Sequence, residues 1–415
     1  MKITQVRSFL LSYALPKPLR LPFYGGERTI LKRDAMLTRI DGEKGLRGYG
    51  PGPGSEKTHA AIKNTVAPFL EDRQLSDPDL LRADFLAGPG RDPSLAKVYG
   101  AVEIALYDLA AKEKGLPVSE LLGGRVRDRI RLYGSAGMYM APEKYAEEAA
   151  AIARLGFHGY KMRPALGPER DLEAVRLMRK AVGPGVELMV DAHTWWRMGD
   201  LSYDFSTIER LAREFAKERA AWLEEPLPPD DHEAYRRMRD EHILPLASGE
   251  HEQSEERYLD LIRKRCVDYV QMDVFCQGGY PLARRLFRPI AQEGLKFAFH
   301  SWGTMLEVIA AAHVGISEPE AVVEWLEFPC YSATNRPGMY PFPVSDEILK
   351  APLEIQDGEL VVPREPGIGV EVDEAVIERY PWIPGPWSYF RIDSPPEMLA
   401  VTSDHSIQWV EKPTP

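Results

Sequence analysis

Lys161 and Arg163, two residues apart, open a series of polar residues that recurs through the middle of the chain. Asp191 and His193 follow, then Glu224-Glu225, then Glu250, Asp273, His300 and Glu327. From Asp191 onward the spacings are 33, 26, 23, 27 and 27 residues, each about one strand–helix unit. A ring of carboxylates is self-repelling unless positive charge lies among them. Asp191, Glu224 and Glu250 are hard oxygen donors suited to Mg²⁺, which keeps open positions for water and substrate. Lys161 and Arg163, at i and i+2 of one strand, share a face. Glu225 would point to the opposite side of a regular strand from Glu224, which gives it a supporting role.

These residues end short apolar runs rich in β-branched and aromatic side chains. Eight such runs are legible, at 130–137, 159–164, 187–193, 220–226, 244–250, 269–274, 296–301 and 322–327. Amphipathic segments separate them, most clearly 168–182 and 254–265. Strands alternating with helices imply a parallel sheet, and eight units imply closure. The expected class is α/β: a (β/α)₈-type, TIM-like barrel with polar strand ends gathered on its C-terminal face. No GxGxxG follows an early strand, which disfavours an open doubly wound sheet.

The barrel is expected over 126–345, with an N-terminal α+β capping domain over 1–125 and a tail over 346–415 returning to the cap. In the cap, strands are expected at 2–15, 31–40 and 46–50. A helix is expected over 94–114, with its stripe through Val98, Val102, Ala105, Leu106 and Leu109 and its stop at Gly115. In the tail, Asp357-Gly358 between apolar residues predicts a tight hairpin over 354–361.

The 415 residues carry a net charge of −11, which disfavours nucleic-acid or anionic-membrane partners. No apolar run approaches the roughly 20 residues of a bilayer span, and the short run at 9–15 leads into Pro16-Lys17 rather than a signal-peptide cleavage site. The three cysteines Cys266, Cys276 and Cys330 have no CxxC spacing and read as thiols of a reducing compartment. The expectation is a cytoplasmic enzyme.

Eight segments, in order, carry a resemblance. They are ALYDLAAKEKGLPVSELLGG at 105–124, Lys161-Met162-Arg163, Val190-Asp191-Ala192-His193, WLEEP at 222–226, Ser248-Gly249-Glu250, Asp273 with Gly278-Gly279, His300-Ser301-Trp302-Gly303 and Pro366-Gly367-Ile368-Gly369. The chain resembles the enolase superfamily, in particular its mandelate racemase group. The resemblance implies Mg²⁺ on Asp191, Glu224 and Glu250, and abstraction of the proton α to a carboxylate. A divalent cation on the carboxylate oxygens would stabilise the resulting enediolate. It implies Lys161 as a catalytic base, its pKa depressed by Arg163 and the metal. Family members commonly have Lys at both positions, so Arg163 is a departure that keeps the charge. Asp273 and His300 would form a dyad, a second acid/base opposite the lysine. Glu327, rather than Glu324, would be the eighth-strand acid that hydrogen-bonds the substrate.

The reaction turns on His193, which lies on the same side as Asp191. An Asp-x-His pair resembles that of the superfamily's sugar-acid dehydratases, where the imidazole assists departure of hydroxide. His251, in a Ser-Gly-Glu-His run, points the same way. Arg20, Tyr24 and Arg28 of the 16–30 loop are expected to close over the site, joined by Trp195, Trp196, Arg197 and Trp302, since aromatic faces and cations suit a polyol carboxylate. The expected function is a Mg²⁺-dependent aldonate or aldarate dehydratase yielding a 2-keto-3-deoxy acid, in a homo-oligomer. A racemase, epimerase or cycloisomerase of a carboxylate is the alternative, and a non-catalytic metabolite-binding barrel the remote one.

Overall fold

The structure is a computed structural model that describes residues 1–334, 336–394, 396–402 and 407–409. The chain begins with two long antiparallel strands, β1 (Ile3–Phe23) and β2 (Gly26–Gly42), followed by β3 (Arg47–Gly52). The segment 16–30, expected as a loop, is an extension of this hairpin. Its register slips between Ala14 and Leu19 and then resumes to the turn at Tyr24-Gly25. Helix α1 (Pro93–Lys114) starts at an N-cap where Asp92 accepts from the Ser94 amide, and stops at left-handed Gly115. It lies directly on β3, where a side chain on Gly48 would sit 2.1 Å from the Ala105 carbonyl. Leu106 is fully buried in this contact, and its truncation to Ala would cost about 2–5 kcal/mol.

Eight parallel strands then form a closed barrel. They are β4 (Arg129–Met138), β5 (Gly159–Arg163), β6 (Glu187–Asp191), β7 (Ala220–Glu224), β8 (Leu246–Ser248), β9 (Tyr269–Met272), β10 (Lys296–Phe299) and β11 (Val323–Pro329). Each pairs with the next, and β11 pairs with β4 to close the ring. All eight expected runs are strands. Several end one or two residues early, because the chain leaves the sheet there and turns into rim loops. The helix after β10, α2 (Met305–Gly315), is buried along its whole length.

The tail divides between the two bodies. β12 (Ile355–Gln356) and β13 (Glu359–Val361) form the expected hairpin about Asp357-Gly358, both at positive φ, and β13 pairs with β4. β14 (Ser388–Asp393), β15 (Pro396–Val401) and β16 (Ile407–Trp409) instead join the cap. β14 pairs with β2 over Gly26–Ile30, so both chain ends build one six-stranded sheet. Among the described residues, no helix is long and apolar enough to cross a membrane.

Candidate active site

Alternation along the barrel strands sets the floor of the site. Tyr133, Met189, Trp222, Ala247, Ala298 and Trp325 plug the barrel interior. Two residues beyond Met189, Trp222, Ala298 and Trp325 come Asp191, Glu224, His300 and Glu327, facing the same way one layer nearer the rim. Glu324 falls at a register shift between β10 and β11, on the far side of the plug from the cluster. Its carboxylate accepts from the Tyr269 hydroxyl at 2.7 Å and from Lys296 Nζ at 2.7 Å, away from the cluster.

Lys161 Nζ lies 2.6 Å from Glu224, 3.1 Å from Glu327 and 3.8 Å from Asp191, with no solvent exposure. Arg163 Nε lies 3.1 Å from Asp191, and its guanidinium sits 3.8 Å from the Trp302 ring centroid. His300 Nδ1 faces Asp273 Oδ2 at 2.8 Å, and its Nε2 lies 2.9 Å from Glu250. His193 Nδ1 lies 2.7 Å from Asp191 Oδ1. His193 Nε2 has no protein partner among the described residues.

The charges follow from these distances. Burial opposes charge on Lys161, but Glu224, Glu327 and Asp191 outweigh it and hold the ammonium protonated above its ordinary range. Among the protein's own charges, three carboxylates within 4 Å outweigh the one guanidinium. Burial also opposes charge on His300, yet Asp273 and Glu250 raise it well above the usual imidazole range. Burial lowers His193.

A cavity of about 600 Å³ opens over this floor. Arg163, Asp191, His193, Glu250, Asp273 and His300 form its barrel wall. Lys161, Glu224 and Glu327 are fully buried behind that wall. Trp196, Arg197 and Trp302 complete the side. The roof comes from the cap sheet: Arg28 with Trp387, Phe390, Ile392, Leu399 and Val401.

Three expected substrate contacts are corrected. Trp195 is fully buried, its Nε1 donating to Asp171 at 3.1 Å, because the turn after β6 sends it into the core and only Trp196 outward. Arg20 lies on the exposed face of β1, opposite Thr29. Tyr24 sits at the hairpin tip, 42% exposed and against Tyr203. Arg28 is the residue of this segment that reaches the cavity.

The sequence reading missed three groups. Gln277 accepts from the Asp273 amide at 2.6 Å and donates to the Glu250 carbonyl, fixing two rim residues. Glu307, on the first turn of α2, is buried against Asp273 and kept protonated by burial and by that charge. The roof strands were missed as well. Strand-end spacing could not find residues on a helix or in the tail; the alternating Trp387-Ser388-Tyr389-Phe390-Arg391-Ile392 was the available signal.

The floor also bears on a metal. Asp191, Glu224, Glu225, Glu250 and Glu327 are hard oxygen donors facing the cations Lys161 and Arg163, a set that fits Mg²⁺. Glu225, at φ 43, leaves the regular strand alternation and turns toward His251, 2.7 Å away. Ligand atoms of Glu225, Glu250 and His251 lie within 4.8 Å of one another, whereas Lys161 is lodged between Asp191 and Glu224.

A capped, closed parallel barrel with acids, imidazoles and a buried lysine at its C-terminal rim defines a barrel enzyme. The chain belongs to the enolase superfamily: residues 144–376 match its Enolase C-terminal domain-like family, and residues 11–123 match the mandelate racemase / muconate lactonizing enzyme N-terminal domain. Members of this superfamily use Mg²⁺. The chain is 26% identical over 396 residues to D-galactarolactone cycloisomerase of Agrobacterium fabrum, covering 92% of this chain and 99% of that one. It is 28% identical over 360 residues to arabinonate dehydratase of Saccharolobus solfataricus, covering 84% and 90%. Among solved structures, 3,6-anhydro-D-galactonate cycloisomerase from Zobellia galactanivorans superposes with a TM-score of 0.78 at 27% identity, covering 92% and 99%.

Proposed function

We propose that the protein is a Mg²⁺-dependent sugar-acid dehydratase, converting an aldonate or aldarate to a 2-keto-3-deoxy acid. The observation that carries this reading is a pair of imidazoles on one cavity wall, His300 backed by Asp273 and His193 backed by Asp191. Enolisation followed by loss of a β-hydroxyl needs one group to take a proton and another to help the oxygen leave. Relatives named arabinonate dehydratase, D-gluconate dehydratase and D-xylonate dehydratase support it.

Asp191, Glu224 and Glu250 would hold the cation, which supplies positive charge at the substrate carboxylate when bound. Arg163 adds a permanent charge on the same wall. His300 takes the α-proton at Nε2, because of the two candidate bases it alone reaches the cavity. Asp273 orients its ring and stabilises the imidazolium that results. Lys161, underneath, neutralises the acidic floor together with Arg163, and Glu327 lies beside it, its Oε2 accepting from the Ser301 amide at 3.1 Å. The imidazolium form of His193, which burial disfavours, would give its Nε2 proton to the departing β-oxygen.

Cycloisomerisation is the second reading, favoured by two relatives of that name that match over nearly the whole chain. There the same proton abstraction would open a ring whose oxygen sits on the β-carbon. Incubating the purified protein and Mg²⁺ with aldonic acids, aldaric acids and their lactones, with NMR detection in D₂O, separates the two. Loss of water to a 2-keto acid is the expected result. Inversion at the α-carbon with water retained overturns the reading.

A further inference from the structure

Of the four buried cations of the cap sheet among the described residues, Lys32 and Arg39 have a carboxylate beside them, and Arg33 donates to the Trp302 carbonyl. Lys32 lies 3.0 Å from Asp34, and Arg39 lies 2.9 Å from Glu374. Arg28, 7% exposed, pairs with no carboxylate among the described residues. Its polar support is the Tyr139 hydroxyl, and its Nε has no hydrogen-bond partner. The guanidinium carbon lies 4.5 Å from the Trp387 ring centroid and 4.8 Å from that of Phe390. Such π contacts hold a guanidinium in place while leaving its N–H donors unspent.

The position is fixed by register, since Arg28 stands opposite Phe390 in the β2–β14 pair. Arg28 therefore lines the roof, across the cavity from the barrel wall. Around it Ile392, Leu399 and Val401 offer no hydrogen-bonding side chains. A buried guanidinium in such surroundings is unfavourable until an anion arrives. A hydroxymethyl end on the substrate would leave it unpaired, whereas a carboxylate matches its planar fork with two parallel hydrogen bonds.

We infer that Arg28 anchors a second carboxylate at the far end of the substrate, so that the site takes aldarates in preference to aldonates. This rests on the sugar-acid reading above and narrows it. It is tested with two matched pairs, D-galactarate against D-galactonate and D-glucarate against D-gluconate, each with Mg²⁺. Turnover is followed as 2-keto acid, and binding as the shift in thermal midpoint. For at least one pair, the wild-type kcat/KM for the dicarboxylate should exceed that for the monocarboxylate by about 100-fold or more. Arg28→Met should bring that ratio to within about tenfold of unity, and Arg28→Lys should fall between them. If Arg28→Met does not fold, by circular dichroism, Arg28→Lys decides. Equal use of both acids by the wild type, or an unchanged ratio in the variant, overturns the inference. If no acid reacts, the dehydratase reading fails, and the thermal shifts decide separately. A larger shift with the dicarboxylates that is lost in the variant supports Arg28 as the anchor, and its absence refutes it.

Discussion

Parity along a strand chooses between neighbouring side chains. Glu327 enters the cluster and Glu324 does not, because one stands two residues beyond the plug residue Trp325 and the other one residue before it. The place of Glu327 follows from period-two alternation and was legible in the sequence, whereas the register shift at Glu324 was not. Trp195 against Trp196 was not legible, since a coiled turn has no fixed parity, and Arg20 against Arg28 required knowing that the hairpin continues to residue 24. The two imidazoles make separable predictions. His300→Asn should lower both α-proton exchange and 2-keto acid formation by about 10²–10⁴-fold, the usual contribution of a positioned base. His193→Asn should retain exchange in D₂O while product formation falls by a similar factor. If His300→Asn exchanges the α-proton at the wild-type rate, the base is elsewhere. As a base, His300 must be neutral, and its pKa is raised. Activity should therefore climb with pH through its titration, and Asp273→Asn should move that limb toward lower pH, read from kcat/KM profiles.

Among the elements, strand and helix alternation made the barrel readable, as did the stop at Gly115 and the Asp357-Gly358 turn. The roof was readable only as a strand-like pattern over 387–392, because the pairing of β14 with β2 depends on contact between distant segments. Helix α2 makes a prediction of its own. His313 is fully buried there, its Nε2 against the Ile368 carbonyl at 3.0 Å, and burial pushes it down to about 4. The unfolded imidazole titrates near 6.5, so between those values the unfolded chain binds a proton that the fold refuses. Stability is thus intact above about pH 6.5 and declines as pH falls toward 4, by about 3 kcal/mol in all. His313→Gln, which can still donate to Ile368, should flatten that decline in urea midpoints measured at pH 7 and pH 4.5. An undiminished slope would place the acid sensitivity in other groups.

For the whole molecule, the proposed division into 1–125, 126–345 and 346–415 puts the acids in the barrel, Arg28 in the cap and the other roof residues in the tail. The cation should therefore act on overall stability. Mg²⁺ at about 100 times its dissociation constant should add about 2.7 kcal/mol, seen as a rise in thermal midpoint that EDTA reverses. Glu250→Gln should weaken that rise while leaving the metal-free midpoint within a few degrees of wild type. An EDTA-treated protein with full turnover would show that the acidic floor needs no cation. The pairing of β14 with β2 also has a consequence in time. During synthesis the barrel can form its ring while Trp387 and Phe390 have yet to be made, so a nascent chain carries its acids and imidazoles without a roof. Arg28 is made before the whole barrel and waits through its synthesis for the strand that seats it.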